Sequence, residues 1–496
     1  FGFKDEAEEF SWREDITTSI KDVLTQRLQD KSQAVRLLAI QATGQLFNSI
    51  SISTSTTANV NEQQDILGLS NVELHEEITE ALLWNLNHDP SFANRSAAIN
   101  SLPITVDTLP SIVSRTRDSK LKVRVEALDL LSQKVDVKRL TRQQRVEILQ
   151  SGLSTRYPAT YQAATKMLCC GWMKSVKFDP VLLLELLEAT TTYSSSSVEG
   201  GGEGLDESAV FEEVSVNAAR AIIAAASEDY HSGVAVDDHG GNNNGKEGQV
   251  SGSLAVISTS ELTLAALSNP EIREYKENVL DLKRFNMSTM YKSCGEPGER
   301  NENDDLDGSC TGQLTAASIL FIRTMCDMIM ESKSLTDYKK STLLADIVPD
   351  VIILGEVIGH HMEKLIAIQM ELDELDEDDH RVVEYEAKED NEVFICLHLL
   401  KLSKVVDMNE EGTRRHFSNI IHRILCNPDT HADLVDGAVV ALSASHHSEA
   451  GFLLSISEVL SHVIETDNED HEQDNEDVED SVPTAPVNPE MKKEQY

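Results

Sequence analysis

The stretch Asp118–Ser119–Lys120–Leu121–Lys122–Val123–Arg124 repeats a pattern already present at Asp30–Lys31–Ser32–Gln33–Ala34–Val35–Arg36 and at Asp89–Pro90–Ser91–Phe92–Ala93–Asn94–Arg95. In each copy an alanine follows the arginine by three residues: Ala39, Ala98 and Ala127. A degenerate fourth copy has Thr155, Thr160, Tyr161 and Ala164 in the corresponding places, with Leu168 completing its apolar face. Self-similarity at intervals of a few tens of residues is the mark of stacked supersecondary units.

The flanking apolar residues recur at the helical period. Ile20, Val23, Leu24 and Leu28 precede the first copy, and Val35, Leu38, Ala39, Ala42 and Leu46 run through it. The pattern therefore predicts two short antiparallel helices joined by a tight turn. Small alanines on the second helix let neighbouring pairs approach closely, and each pair buries its apolar face only by stacking. An aspartate at the turn can accept backbone N–H bonds at the helix start, and the arginine can reach the aspartate of the next repeat. Asp30, Asp89, Asp118, Arg36, Arg95 and Arg124 are therefore read as a structural ladder rather than as ligand contacts. The Ser/Thr-rich stretch 49–57 accounts, as an insertion, for the long first interval between repeats. The fold class expected is all-α, a HEAT-repeat α-solenoid with disordered acidic and low-complexity insertions.

Working outward, the domains expected are N-terminal repeats over 1–190, low-complexity inserts with interspersed helices over 191–312, HEAT-like repeats over 313–464, and an acidic disordered tail over 465–496. Within the third, 371–392 is expected to be an acidic loop. Stretches rich in Ser, Gly, Asn and acidic residues at 190–206, 228–253 and 294–312 predict mobile loops. Helical patterning resumes over 314–330, 343–370, 393–406, 417–425, 434–443 and 452–464. The chain opens on Phe1, so the expectation is a fragment, a processed form or an incomplete gene model.

Chemistry is sparse. The seven cysteines form no C-x-x-C pair, and Cys169–Cys170 reads as buried packing between Leu168 and Trp172. His360–His361 and His446–His447 lack metal-site spacing and read as surface histidines. Gly240 to Lys246 resembles a phosphate loop, yet Glu247 stands where a hydroxyl is needed. The expectation is no enzyme, no cofactor, no metal site, no small-molecule substrate and no membrane span.

Charge is segregated along the chain. Net charge is −42, yet between 81 and 177 fifteen Lys and Arg stand against seven Asp and Glu. Arg115, Arg117, Lys120 and Lys122 cluster around one turn, and Lys138, Arg139, Arg142 and Arg145 around the next helix start. Thr141-x-x-Gln144 has capping-box form, which puts Arg142 and Arg145 in a first turn where the helix dipole disfavours cations. A polyanion would offset that cost, and these eight residues are the candidate DNA-phosphate contacts. Charge alone equally allows solvated cations or an acidic-protein ligand.

Several blocks together resemble a known family. They are Arg27 to Arg36, Leu109 to Arg124, Gln144 to Leu153 with Gly171–Trp172, and Glu392 to Leu400 followed by Asn427–Pro428 and Leu434 to Asp436. They are similar to the G subunits of condensin, also known as condensin subunit 3. The resemblance covers residues 20–190 well and the middle weakly. It implies a HEAT solenoid that binds the kleisin subunit and, with the SMC ATPases, anchors double-stranded DNA without sequence specificity during mitotic chromosome condensation. It implies residence in the nucleus and on mitotic chromosomes, with the cytoplasm in interphase. The alternative is a HEAT scaffold or transport adaptor that binds acidic peptides and no DNA.

Overall fold

The computed structural model describes residues 19–55, 71–187, 207–227, 264, 266–288, 290, 314–375, 379–428 and 430–479. The low-complexity stretches 190–206, 228–253 and 294–312, with the phosphate-loop-like segment, lie outside them. Among the described residues the ordered elements are helical, with no strand. Two compact units are formed, one from residues 1–282 and 320–337, the other from 283–319 and 338–496.

In the first unit the predicted pairs are α1 (19–28) with α2 (Gln33–Ser55), α3 (Asn71–His88) with α4 (Phe92–Ser101), and α5 (Leu109–Ser114), extended by the 3₁₀ turn Arg115–Arg117, with α6 (Leu121–Lys134). A fourth pair is α7 (Arg142–Leu153) with α8 (Pro158–Lys166), whose helix continues through a π-turn at Met167–Trp172 to Ser175. The second helices stack in sequence, α2 on α4, α4 on α6 and α6 on α8. The repeat alanines sit in these seams: Ala98, Ala127 and Ala164 are fully buried and Ala39 nearly so. Seams this tight leave no room for a larger residue. A Cβ on Gly152 would lie 2.5 Å from the Ala164 Cβ, and one on Gly44 2.5 Å from the Ser101 hydroxyl. Cys169 and Cys170 are buried in the fourth pair, as packing predicts. Burial pushes the Cys169 thiol up to about 12, and Tyr275 opposes it through a hydrogen bond.

Helix α2 does not stop at the Ser/Thr-rich stretch but runs through it to Ser55. The stretch is therefore partly a helix extension, and Thr56 and Thr57 lie outside the described residues.

The chain continues through α9 (Pro180–Leu187), α10 (Glu207–Ala226), α11 (Asn269–Leu280), α12 (Ala316–Glu331) and α13 (Asp337–Ile347). The second unit then repeats the paired arrangement in α14 (Val351–Asp373), α15 (Val382–Leu402), α16 (Glu411–Cys426), α17 (Ala432–Ala444) and α18 (Glu449–Glu479). Helix α14 packs on α15 and on α16, α15 on α17, and α16 on α17 and α18, so the hairpins α14–α15 and α16–α17 stack with like helix on like helix.

Three expectations change here. The run 343–370 is two helices, because Pro349 breaks it and Asp350 caps the second through bonds from the Ile352 and Ile353 N–H groups, both 3.0 Å. The acidic segment 371–392 is mostly helical, since α14 ends at Asp373 and α15 begins at Val382. Its Glu389 accepts a bond from Gln369 and its Glu392 pairs with His361, so carboxylates read as loop charges face the opposite helix of a hairpin. The helix carrying Phe452 to Ile464 continues to Glu479, into the stretch expected as disordered tail.

Candidate nucleic-acid interface

The turns that open α2, α4 and α6 are built alike. The Asp30 Oδ1 accepts the Ser32 N–H, Asp89 Oδ1 the Ser91 N–H and Asp118 Oδ1 the Lys120 N–H, each at 2.8 Å. The arginine six residues on bonds back to the carbonyl of its own turn: Arg36 to Asp30 at 2.8 Å, Arg95 to Asp89 at 2.8 Å, Arg124 to Asp118 at 3.1 Å. Its other edge reaches forward. Arg36 grips Asp89 through Nε and Nη2 at 2.6 and 3.0 Å, and Arg95 grips Asp118 the same way at 2.9 and 2.8 Å. The ladder inferred from spacing is thus a chain of bidentate pairs across the repeats, the strongest geometry open to an ion pair.

Burial would raise the Asp118 carboxyl. The bonds from Arg95 and the Lys120 N–H, with the charges of Arg95 and Arg115, outweigh it and hold the carboxyl below the ordinary carboxylate range. Asp89 is held low in the same way, against burial, by Arg36 and Asn94.

The eight candidate cations do not share one environment. Arg115 belongs to the ladder: Nη1 donates to the Leu86 carbonyl at 3.3 Å and lies 3.5 Å from Asp118, and burial lowers its pKa. Arg145 is buried, with Nε donating to the Val137 carbonyl at 3.1 Å and Nη1 to that of Leu186. Arg142 lies over Phe211, its Cζ 4.0 Å from the ring centroid, as a cation–π contact. The Thr141–Gln144 capping box is present. The cations of that first turn are thus offset inside the protein, by carbonyls and an aromatic face, so their placement asks for no polyanion.

The other five are exposed. Arg117 is weakly tied to Glu147 at 3.6 Å and Lys122 to Glu126 at 3.8 Å. Lys120, Lys138 and Arg139 have no acidic side chain within ion-pair reach among the described residues. They fall on two edges of the stack. Lys120 caps the start of α6, whereas Lys138 and Arg139 follow its end, separated by a helix of 14 residues, or about 21 Å. The sequence cluster is two groups in space.

His361 is not at the surface. It is buried, with Nδ1 2.6 Å from the Glu392 Oε2. The signal available was its place on the apolar face between Ile358 and Leu365. Among the described residues no group of three or more His, Cys, Asp or Glu side chains could hold a metal ion, and no helix is long and apolar enough to cross a membrane.

Fold and surface define a HEAT-type repeat scaffold with exposed basic turns. Its sequence is similar to condensin complex subunit 3. It is 33% identical to the Homo sapiens protein over 139 residues, which are 27% of this chain and 13% of that one. It is 29% identical to the Xenopus laevis protein over 175 residues, 35% of this chain and 15% of that one. The corresponding values for Schizosaccharomyces pombe are 27% over 186 residues, 37% and 18%. The matched stretch thus spans under a fifth of these relatives. The crystal structure of the S. pombe condensin Cnd3–Cnd2 subcomplex superposes with a TM-score of 0.56 at 19% identity, over 95% of this chain and 45% of that one, which bears out the fold. No family model matches the chain.

Proposed function

We propose that this chain is a non-SMC regulatory subunit of condensin, a non-catalytic scaffold that binds the kleisin subunit and anchors duplex DNA during chromosome condensation. The similarity to condensin complex subunit 3 and the fold shared with the Cnd3–Cnd2 structure support it. The observation that carries the DNA part is the set of exposed cations on rigid repeat turns, Lys120, Lys138 and Arg139, with Arg117 and Lys122 beside them.

Fixed on a scaffold, such cations touch backbone phosphates without reading bases. The acidic remainder of the chain need not cancel them, because charges more than about 8 Å away are largely screened at physiological salt. Arg115, Arg142 and Arg145, held by the fold, serve the scaffold.

The test is duplex binding by the chain complexed with its kleisin, over a range of salt. Reversing Lys120, Lys122, Lys138 and Arg139 to glutamate is expected to weaken binding and to flatten the slope of log affinity against log salt by about 0.9 for each phosphate no longer neutralised. Co-purification with kleisin and SMC subunits should persist. Duplex affinity that survives all four reversals would remove DNA anchoring from these turns.

A further inference from the structure

The ladder has three arginines but two inter-repeat carboxylates. Arg124 makes the first half of the pattern, its Nη1 donating to the Asp118 carbonyl. The residue that should receive its Nε–Nη2 edge is Thr155, which stands at the aspartate position of the fourth copy. Thr155 does half of an aspartate's work, its hydroxyl accepting the Tyr157 N–H at 3.3 Å as the aspartates accept theirs. It has no second oxygen for a guanidinium. The Arg124 Nε–H is closed to solvent and meets no acceptor among the described residues. Over it lies the Tyr157 ring, its centroid 4.6 Å from the Arg124 Cζ, in a side chain 48% exposed.

We propose that Arg124, Thr155 and Tyr157 form a docking site for a carboxylate of a partner protein, an Asp or Glu in an acidic segment that takes the place of the missing ladder aspartate. The chain itself shows twice, at Arg36 and Arg95, that this edge in this turn takes a carboxylate in bidentate fashion. Arginine's planar fork matches that group, and Lys120 and Arg156, both exposed, make the approach positive. Tyr157 covers the edge as a removable lid: a half-exposed ring can swing aside, after which a side chain on a flexible stem reaches between the repeats. A phosphate fixed in a duplex backbone has no such stem. The DNA reading shares Lys120 with this approach, but the fork itself, Arg124 with Thr155 and Tyr157, lies outside it.

The experiment measures binding of a fluorescein-labelled hexaglutamate peptide to the full chain by anisotropy at near-physiological salt. Arg124→Gln and Thr155→Asp are each expected to lower affinity about tenfold, the loss of a charge-assisted bond. Arg156→Gln removes the same charge away from the fork and should cost less than about threefold. Thr155→Asp should also raise the urea midpoint, because the carboxylate completes the third rung internally, so weaker binding there cannot come from unfolding. Equal losses in Arg156→Gln and Arg124→Gln would reduce the site to diffuse charge and overturn the proposal. So would unchanged peptide binding in Thr155→Asp, or a duplex oligonucleotide being the only probe that variant rejects.

Discussion

Arg95, at the start of the second helix of its pair, and Arg414, at the start of the first of its own, make the same backbone contact, each bonding to the carbonyl six residues back, at 2.8 Å to Asp89 and 3.1 Å to Met408. What lies ahead of them differs. Arg95 meets the buried carboxylate of Asp118, whereas Arg414 meets the Nε2 of His447. His446, next to it, has its pKa lowered by burial and then by the nearby His422 and Arg414. One unit is jointed by permanent opposite charges. The other joins an arginine to an imidazole, beside a histidine whose pKa is lowered.

The largest effect should come from breaking a carboxylate rung. Asp118→Ala leaves Arg95 buried without its counter-ion and frees the Lys120 N–H, at a cost of about 3–5 kcal/mol. The urea midpoint of the first unit should fall accordingly, while His447→Ala in the second should move it far less. Seam glycines extend the contrast. A Cβ on Gly152 strikes the Ala164 Cβ at 2.5 Å, fixed to backbone, whereas one on Gly355 meets the mobile Ile420 Cδ1 at 2.7 Å. Gly152→Ala should cost about 1–3 kcal/mol. Gly355→Ala should be near neutral, since gained helix propensity of about 0.5–1 kcal/mol offsets a side chain that can rotate away.

How much of this was legible in the sequence follows from which facts are local. The turn grammar of Asp30, Asp89 and Asp118 fixes hydrogen bonds within two to six residues, and the repeat spacing carries the arginines to the next aspartate. Fold and ladder could therefore be read directly. The grouping of Lys120 with Arg139 could not be, because neighbours along the chain lie at opposite ends of α6. Arg145 misled for another reason. A cation in a first helical turn suggests an external anion only if no carbonyl approaches, and its partner Leu186 lies 41 residues away. His361 likewise found Glu392 on a helix whose acidic residues suggested a loop.

Acid should separate the two units. The lowered pKa of His446 means its contribution is complete above about 6.5 and is lost as pH falls below that value, since the opened joint takes the proton first. For Asp89 and Asp118, also lowered, stability is complete above about 4 and lost only as pH falls further, through their native values. Amide exchange between pH 7.5 and 5.5 should therefore quicken in the described part of α18 near His446 while α4 and α6 keep their protection. Equal behaviour of the two units would erase the distinction.

The smallest effect offers the sharpest test. His447→Asp gives Arg414 a carboxylate like that of Asp118, but the joint is more exposed than the Arg95 rung, so the gain should be only about 0.5 kcal/mol at neutral pH. Its diagnostic value lies in the pH dependence. With a carboxylate beside Arg414, protonation of His446 is opposed by one fewer unbalanced positive charge. Exchange in α18 should then lose most of its acid sensitivity, although the neutral-pH midpoint barely moves. If sensitivity persisted unchanged, the acid response would owe nothing to the Arg414 charge, and the correspondence between Arg414 and Arg95 would be one of backbone contact without shared energetics.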